Sequence, residues 1–263
     1  MSLIHFDNVS FFYPESSVPV FQNLFLDLWP GTTAVLGQNG TGKSTLLLLA
    51  AGLVQPTTGT ISLLGQDTKT FQDEIHRHRS ASFIFQNMEF DTKDCVGDLL
   101  HVVLQNGFRE QKHEDIIQMS IEVFELEHVL QRKTQDISKG ELQRTILAFS
   151  LLYGSRVLIM DEPVFAMEPA QKHRVLGFLQ EFSALEGTSI CYALHELELS
   201  QRYSDYAVLL QKHDAPIYGH TSEILTREHL ESAYGVPLSF LKQEERFRRE
   251  ALMGKEKNGV MES

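Results

Sequence analysis

The segment Gly37-Gln38-Asn39-Gly40-Thr41-Gly42-Lys43-Ser44-Thr45 constrains this chain more than any other feature. It fits the pattern G-x-x-x-x-G-K-[ST], and its flanks are the ones that pattern requires. Thr33 to Leu36 reads as a short strand ending in glycine, and Lys43 to Ala51 is apolar almost throughout, as a helix buried on most sides would be. In a strand, glycine loop and helix of this kind, successive backbone N–H groups converge on phosphate oxygens with the positive end of the helix dipole behind them. Lys43 is then placed to reach β- and γ-phosphate oxygens, and Ser44 to offer its hydroxyl to Mg²⁺. The whole run from Gly37 to Thr45 is the expected nucleotide cradle. A glycine turn that merely joined a strand to a helix would not need the Lys-Ser pair.

A second motif lies downstream. Val157 to Met160 is a four-residue apolar run of the kind found in central parallel strands, and it delivers Asp161-Glu162-Pro163 at its C-terminal end. That end of a parallel sheet faces the ligand crevice. Asp161 is expected to hold Mg²⁺, through water, and Glu162 to polarise the attacking water as general base. As neighbours on one strand, the two carboxylates are expected to point to opposite faces.

The rest of the pattern places these motifs in a fold. Leu3 to Ser10, Leu24 to Trp29, Thr60 to Leu64, Ala81 to Phe85 and Ser189 to Leu194 read as strands. Val96 to Leu104, His113 to Leu130, Glu141 to Leu152 and Pro169 to Leu185 have helical periodicity. The alternation predicts an α/β fold with a largely parallel sheet, antiparallel pairs near the N-terminus and a helical insertion between about Asn87 and Ser150. Leu241 to Lys257 mixes Arg246, Arg248 and Arg249 with Glu244, Glu245 and Glu250 and reads as a solvated helix.

Composition narrows the function. A net charge of −12 disfavours binding to a nucleic-acid backbone, and no nucleic-acid partner is expected. Cys95 and Cys191 make no metal-spaced cluster, and free thiols suit a reducing cytoplasm. Cys191 reads as a small core residue. The N-terminus shows no secretory pattern, and the longest apolar run, Leu46 to Val54, falls far short of the roughly 20 residues that span a bilayer.

Between the two phosphate motifs stands Ile137-Ser138-Lys139-Gly140-Glu141-Leu142-Gln143-Arg144. With the glycine loop before it and Asp161-Glu162 after it, this segment resembles the signature, LSGGQ-x-QR, of the ATP-binding cassette family, and the resemblance extends over nearly the whole chain. It implies a P-loop NTPase of that family's type in a single domain, 1–263, with a helical subdomain at about 87–150 and a tail at about 241–263. It further implies ATP and Mg²⁺ as cofactors and ATP hydrolysis coupled to transport. The units would pair head to tail, so that Ser138 and Gly140 of one chain meet the nucleotide held by a second copy or a related ATPase. Gln86 matches the glutamine that contacts Mg²⁺ and water, His195 the switch histidine and Tyr13 the aromatic that stacks on adenine.

The resemblance also implies separate transmembrane permease subunits, docked near Gln86 to Leu104, and a cytoplasmic location on the inner face of the membrane. Phe83, Phe85, Met88 and Phe90 are candidates for that docking face, although Phe83 and Phe85 read more simply as buried in the sheet. Thr221 to Thr226 and Leu230 to Val236 resemble the tail of importers for iron chelates and cobalamin, which favours import. The ATPase of a two-component exporter and a non-transport member acting on nucleic acid or ribosomes remain as alternatives. Lys139, Glu141 and Glu168 depart from the family pattern. Glu141 would set an anion near the neighbouring nucleotide unless Lys139 offset it, and composite sites built this way would turn over slowly.

Overall fold

The apolar run at 157–160 is buried on both sides because its strand lies between two cores. In the computed structural model, which describes residues 2–71, 73–212, 214–243 and 245, the chain begins with β1 (Ile4–Phe11), β2 (Phe21–Leu28), β3 (Thr32–Gly37) and α1 (Lys43–Ala50). β4 (Thr58–Leu63), β5 (Gln66–Asp67), α2 (Glu74–Ser80) and β6 (Ala81–Ile84) follow. Residues 85 to 156 are built on α3 (Val96–Asn106), α4 (Asp115–Val123) and α5 (Lys139–Tyr153). Then come β7 (Val157–Asp161), α6 (Pro169–Glu186), β8 (Ser189–Ala193), α7 (Leu197–Tyr203), β9 (Tyr206–Leu210), β10 (Ile217–His220), α8 (Thr221–Ile224) and α9 (Arg227–Tyr234).

The strands form two sheets. One is antiparallel, in the order β2-β1-β4-β5; the other runs β10-β9-β3-β8-β7-β6 and is parallel except for β10. Side chains alternate across the second sheet with the period of a strand. Val35, Val157, Ile159, Cys191 and Val208 face a core that α1 fills with Leu46, Leu47 and Leu49 and that Ile4, Phe6, Leu26 and Ile61 of the antiparallel sheet close. Leu36, Leu158, Met160, Ile190, Tyr192 and Leu209 face a second core shared with α3, α4, α5 and α6. Both faces are covered, so these strands are continuous apolar runs. Cys191 is buried, as its neighbours suggested, and burial pushes its thiol up to about 12.

Two expectations need correcting, and a third lies mostly outside the described residues. The helix expected over 113–130 stops at Val123, because Glu125 takes a left-handed φ of 54° and the chain continues as a 3₁₀ turn, Glu127–Val129. Leu126 and Val129 still reach the same core as Ile117 and Ile121, so the apolar spacing continued past the end of the helix. Phe83 is half-buried against the core, but Phe85 lies beyond the end of β6 and is 49% exposed. The mixed-charge segment from Leu241 to Lys257 falls mostly outside the described residues, and Glu244, Arg246, Arg248, Arg249 and Glu250 are among those left out.

Helix α1 touches β3, β4, β7 and β8, and thereby joins the two sheets. Leu47→Ala should therefore leave a cavity between them and cost about 2–5 kcal/mol, read as a lower midpoint in urea unfolding.

Candidate nucleotide site

The phosphate loop takes its shape where β3 meets α1. Gly42 is the N-cap of α1 with φ 98°, and a Cβ there would come within 2.8 Å of both Phe21 and Val20. Only glycine satisfies both conditions. Lys43, 8% exposed, turns its ammonium back into the loop, where Nζ donates to the carbonyls of Gly37 at 2.9 Å and Gln38 at 3.1 Å. Thr41 Oγ1 donates to the same Gln38 carbonyl at 2.9 Å. Burial pulls the Lys43 pKa down from its ordinary value, and the carboxylates of Glu162 and Asp161 oppose that shift.

In front of the loop lies a cavity of about 400 Å³. Asn39, Gly40, Gly42, Lys43, Ser44 and Thr45 line it from the loop and α1, Tyr13 and Val20 from the antiparallel side, and Asp161, Glu162 and His195 from the ends of β7 and β8. Asp161 and Glu162 therefore share one cavity instead of pointing to opposite faces. The reason is local: β7 ends at Asp161, and Glu162 adopts φ 52°, which breaks the strand alternation and turns its side chain back to the crevice. Tyr13 is 43% exposed, and its hydroxyl lies 2.9 Å from Thr45 Oγ1.

The Glu162 carboxylate is held from two directions. Gln86 Nε2 donates to Oε2 at 2.9 Å, and His195 Nε2 lies 2.6 Å from Oε1. Gln86 thus joins the site through Glu162. Gln143, to which the motif pattern assigns no role, holds the backbone around it. Its Nε2 donates to the Glu162 carbonyl and its Oε1 accepts from Ala166 N–H, both at 3.0 Å. Two further contacts were missed because they span most of the chain: Gly37 N–H donates to the Tyr234 hydroxyl at 3.2 Å, and Gln38 Nε2 to the Ala233 carbonyl at 3.1 Å. Burial pushes the Tyr234 hydroxyl up to about 12, against the hydrogen bond from Gly37.

Ser138 and Gly140 are not among the cavity residues; they start α5. Ser138 caps that helix in a reciprocal box, with Ser138 N–H donating to Glu141 Oε2 at 2.7 Å and Glu141 N–H to Ser138 Oγ at 3.3 Å. His128 Nε2 lies 2.6 Å from the other Glu141 oxygen. Lys139 does not offset Glu141, since its Nζ is 3.4 Å from Glu89. Glu168, the other departure, precedes α6, and its N–H donates to Gln171 Oε1 at 3.3 Å.

A glycine loop at a strand-helix junction and a carboxylate pair at the end of a neighbouring parallel strand, around one cavity, define an ATPase of the phosphate-loop class. Residues 21–165 match the ABC transporter family, and the chain belongs to it as an ATP-binding subunit. It is 33% identical over 240 residues to the "Putative ABC transporter ATP-binding protein" of Archaeoglobus fulgidus, which covers 90% of this chain and 98% of that one. It is also 33% identical over 228 residues to the nickel import ATP-binding protein NikO of Rhodobacter capsulatus, covering 83% and 90%. A solved structure, "An inward-facing conformation of a putative metal-chelate type ABC transporter", superposes with a TM-score of 0.70 at 26% identity over 90% of each chain.

Two outcomes test the site. Lys43→Ala should abolish ATP binding in equilibrium titration, and ordinary affinity in that variant would remove the loop from the binding site. Burial alone would raise the Glu141 carboxyl, but hydrogen bonds from the Ser138 backbone and side chain and from His128 bring it down from 4.5 to about 2. A carboxyl depressed in the folded state stabilises fully above its unfolded value, and the contribution fades as pH falls through the folded one. Thermal unfolding of Glu141→Gln should therefore differ from the native protein above pH 4.5 and converge with it as pH falls towards 2.

Proposed function

We propose that this chain powers import of a solute through separate membrane-spanning permease subunits, working as one cassette with a helical insertion at about 87–150. The observation that carries the reading is the Glu162 carboxylate, held between Gln86 and His195 at the mouth of the phosphate-loop cavity. In this reading Glu162 accepts a proton from the water that attacks the γ-phosphate, and His195 keeps its carboxylate aimed. Gly37 to Thr45 bind the phosphates and Tyr13 stacks on the base.

The donor set suits Mg²⁺, a hard cation that takes oxygen ligands and keeps several waters. The hydroxyl of Ser44 and the carboxylate of Asp161 line the same cavity, and in this reading the amide oxygen of Gln86, whose Nε2 reaches Glu162, would complete the set. Among the described residues no group of three His, Cys, Asp or Glu converges to hold a metal. When bound, the ion neutralises phosphate charge.

Head-to-tail pairing explains why Ser138 and Gly140 stand away from their own cavity: they complete the one on the opposing chain. The capping box orients the start of α5 for that contact. No described helix is long and apolar enough to cross a membrane; in this reading the permease subunits supply the path. Phe85 and Met88, 49% and 40% exposed beside Gln86, offer the apolar face on which that partner docks. In this reading the chain works on the inner face of the membrane. Import, and a metal ion or metal chelate as cargo, is supported by the likeness to the nickel import protein and to the metal-chelate type transporter.

Glu162→Gln removes the base and keeps the size of the side chain, with one of the two carboxylate oxygens that face Gln86 and His195 replaced by an amide N–H donor. With ATP and Mg²⁺ it should elute from gel filtration as a dimer that the native chain forms only transiently. A purely monomeric elution would defeat the head-to-tail reading.

A further inference from the structure

The two residues that grip Lys43 are themselves gripped from the far end of the chain. Gly37 and Gln38 present their carbonyls to Lys43 Nζ, while the Gly37 N–H and the Gln38 side chain are taken by Tyr234 and Ala233 in the last turn of α9. That turn is fixed. Leu230 and Ala233 are 1% and 4% exposed, Gly235 closes the helix with φ 66°, and the Glu231 carboxylate accepts from Arg227 and from Leu238 N–H, each at 2.9 Å. The chain then passes over α7, where Glu245 Oε1 accepts from Leu197 N–H at 2.5 Å and so caps the helix that follows His195. Lys172 and Glu196 pair at the same turn. Tyr234 and Ala233 therefore hold the entry to the phosphate loop, and Glu245 holds the segment leaving β8.

We propose that Tyr234 is a positioning residue for ATP binding: through the Gly37 amide it sets the turn whose carbonyls seat the Lys43 ammonium, which lines the nucleotide cavity. The hydroxyl suits the task because it accepts a hydrogen bond without placing a negative charge beside the polyphosphate. Phenylalanine keeps the ring and its packing but leaves the amide without this acceptor. The inference rests on the phosphate-loop reading of Gly37 to Thr45.

The test uses the full chain, with ATP titration at a temperature well below unfolding, steady-state hydrolysis and thermal unfolding. Tyr234→Phe should weaken ATP binding and raise KM by about 3- to 10-fold, with kcat nearly unchanged and the unfolding temperature lowered by no more than a few degrees, as loss of one buried hydrogen bond would. Gln38→Leu, which cuts the second grip, should shift affinity in the same direction. Native ATP affinity in Tyr234→Phe overturns the proposal, as does a lower unfolding temperature with unchanged affinity or a loss confined to kcat. Lys43→Ala separates the two claims. If it binds ATP normally the loop itself is misread, whereas a dead Lys43→Ala beside a native-like Tyr234→Phe removes only the role of Tyr234.

Discussion

The ammonium of Lys43 sits almost out of water against the carbonyls of Gly37 and Gln38, and a charge in that position is tolerable only with fixed partners. Carbonyl dipoles supply part of the compensation and the carboxylates of Glu162 and Asp161 across the cavity add to it, although burial still holds the Lys43 pKa below its ordinary value. Each of these groups is placed by something larger. The carbonyls belong to a loop whose two ends are a sheet strand and a helix clamped between sheets, with Leu46 and Leu47 fully buried. The local charge arrangement thus depends on apolar burial around α1, which is why packing and chemistry cannot be separated in this part of the molecule.

Strand order explains how the other site residues meet. β8, β7 and β6 are neighbours in the parallel sheet, and His195, Glu162 and Gln86 follow their C-terminal ends one after another. Three loops from consecutive strands therefore deliver an imidazole, a carboxylate and an amide to one place, at the end of the sheet where ligands of open α/β folds bind. Gln143 adds α5 to this cluster by holding the Glu162 carbonyl and the Ala166 amide together. The helix that Ser138 caps is in this way tied to the backbone of Glu162, so the segment at 137–144 and the Glu162 loop are parts of one hydrogen-bonded unit.

What was legible in the sequence is what period and local spacing encode. The glycine loop, the apolar runs at 157–160 and 189–194 and the helices at 139–153 and 169–186 all follow from patterns a few residues long. What was hidden depended on a single dihedral or on distance along the chain. Nothing in the residue types at 125 or 162 announces a left-handed backbone, yet one shortens α4 and the other puts two carboxylates in one cavity. The contact between Tyr234 and Gly37 is equally silent, because an aromatic at the end of a short helix reads as packing until its partner, far along the chain, is seen. Phe85 misled for a simpler reason: β6 ends one residue before it.

The acidic residues show the same dependence on surroundings. An overall charge of −12 seems at odds with an anionic ligand, but the loop answers it with backbone amides, one ammonium and a helix terminus, whose short-range fields dominate within a few ångströms. Glu141 and Glu162 are the same residue type and meet opposite fates. Glu141 accepts from a backbone amide at the start of its helix and lies against His128, so its charge is absorbed by the cap and lies well below the ordinary carboxylate range. Glu162 is met by a neutral amide and an imidazole at the mouth of the phosphate-loop cavity, partners that orient its carboxylate towards that cavity. The groups around each carboxylate, and not the identity of the residue, separate the one that caps a helix from the one that lines the cavity.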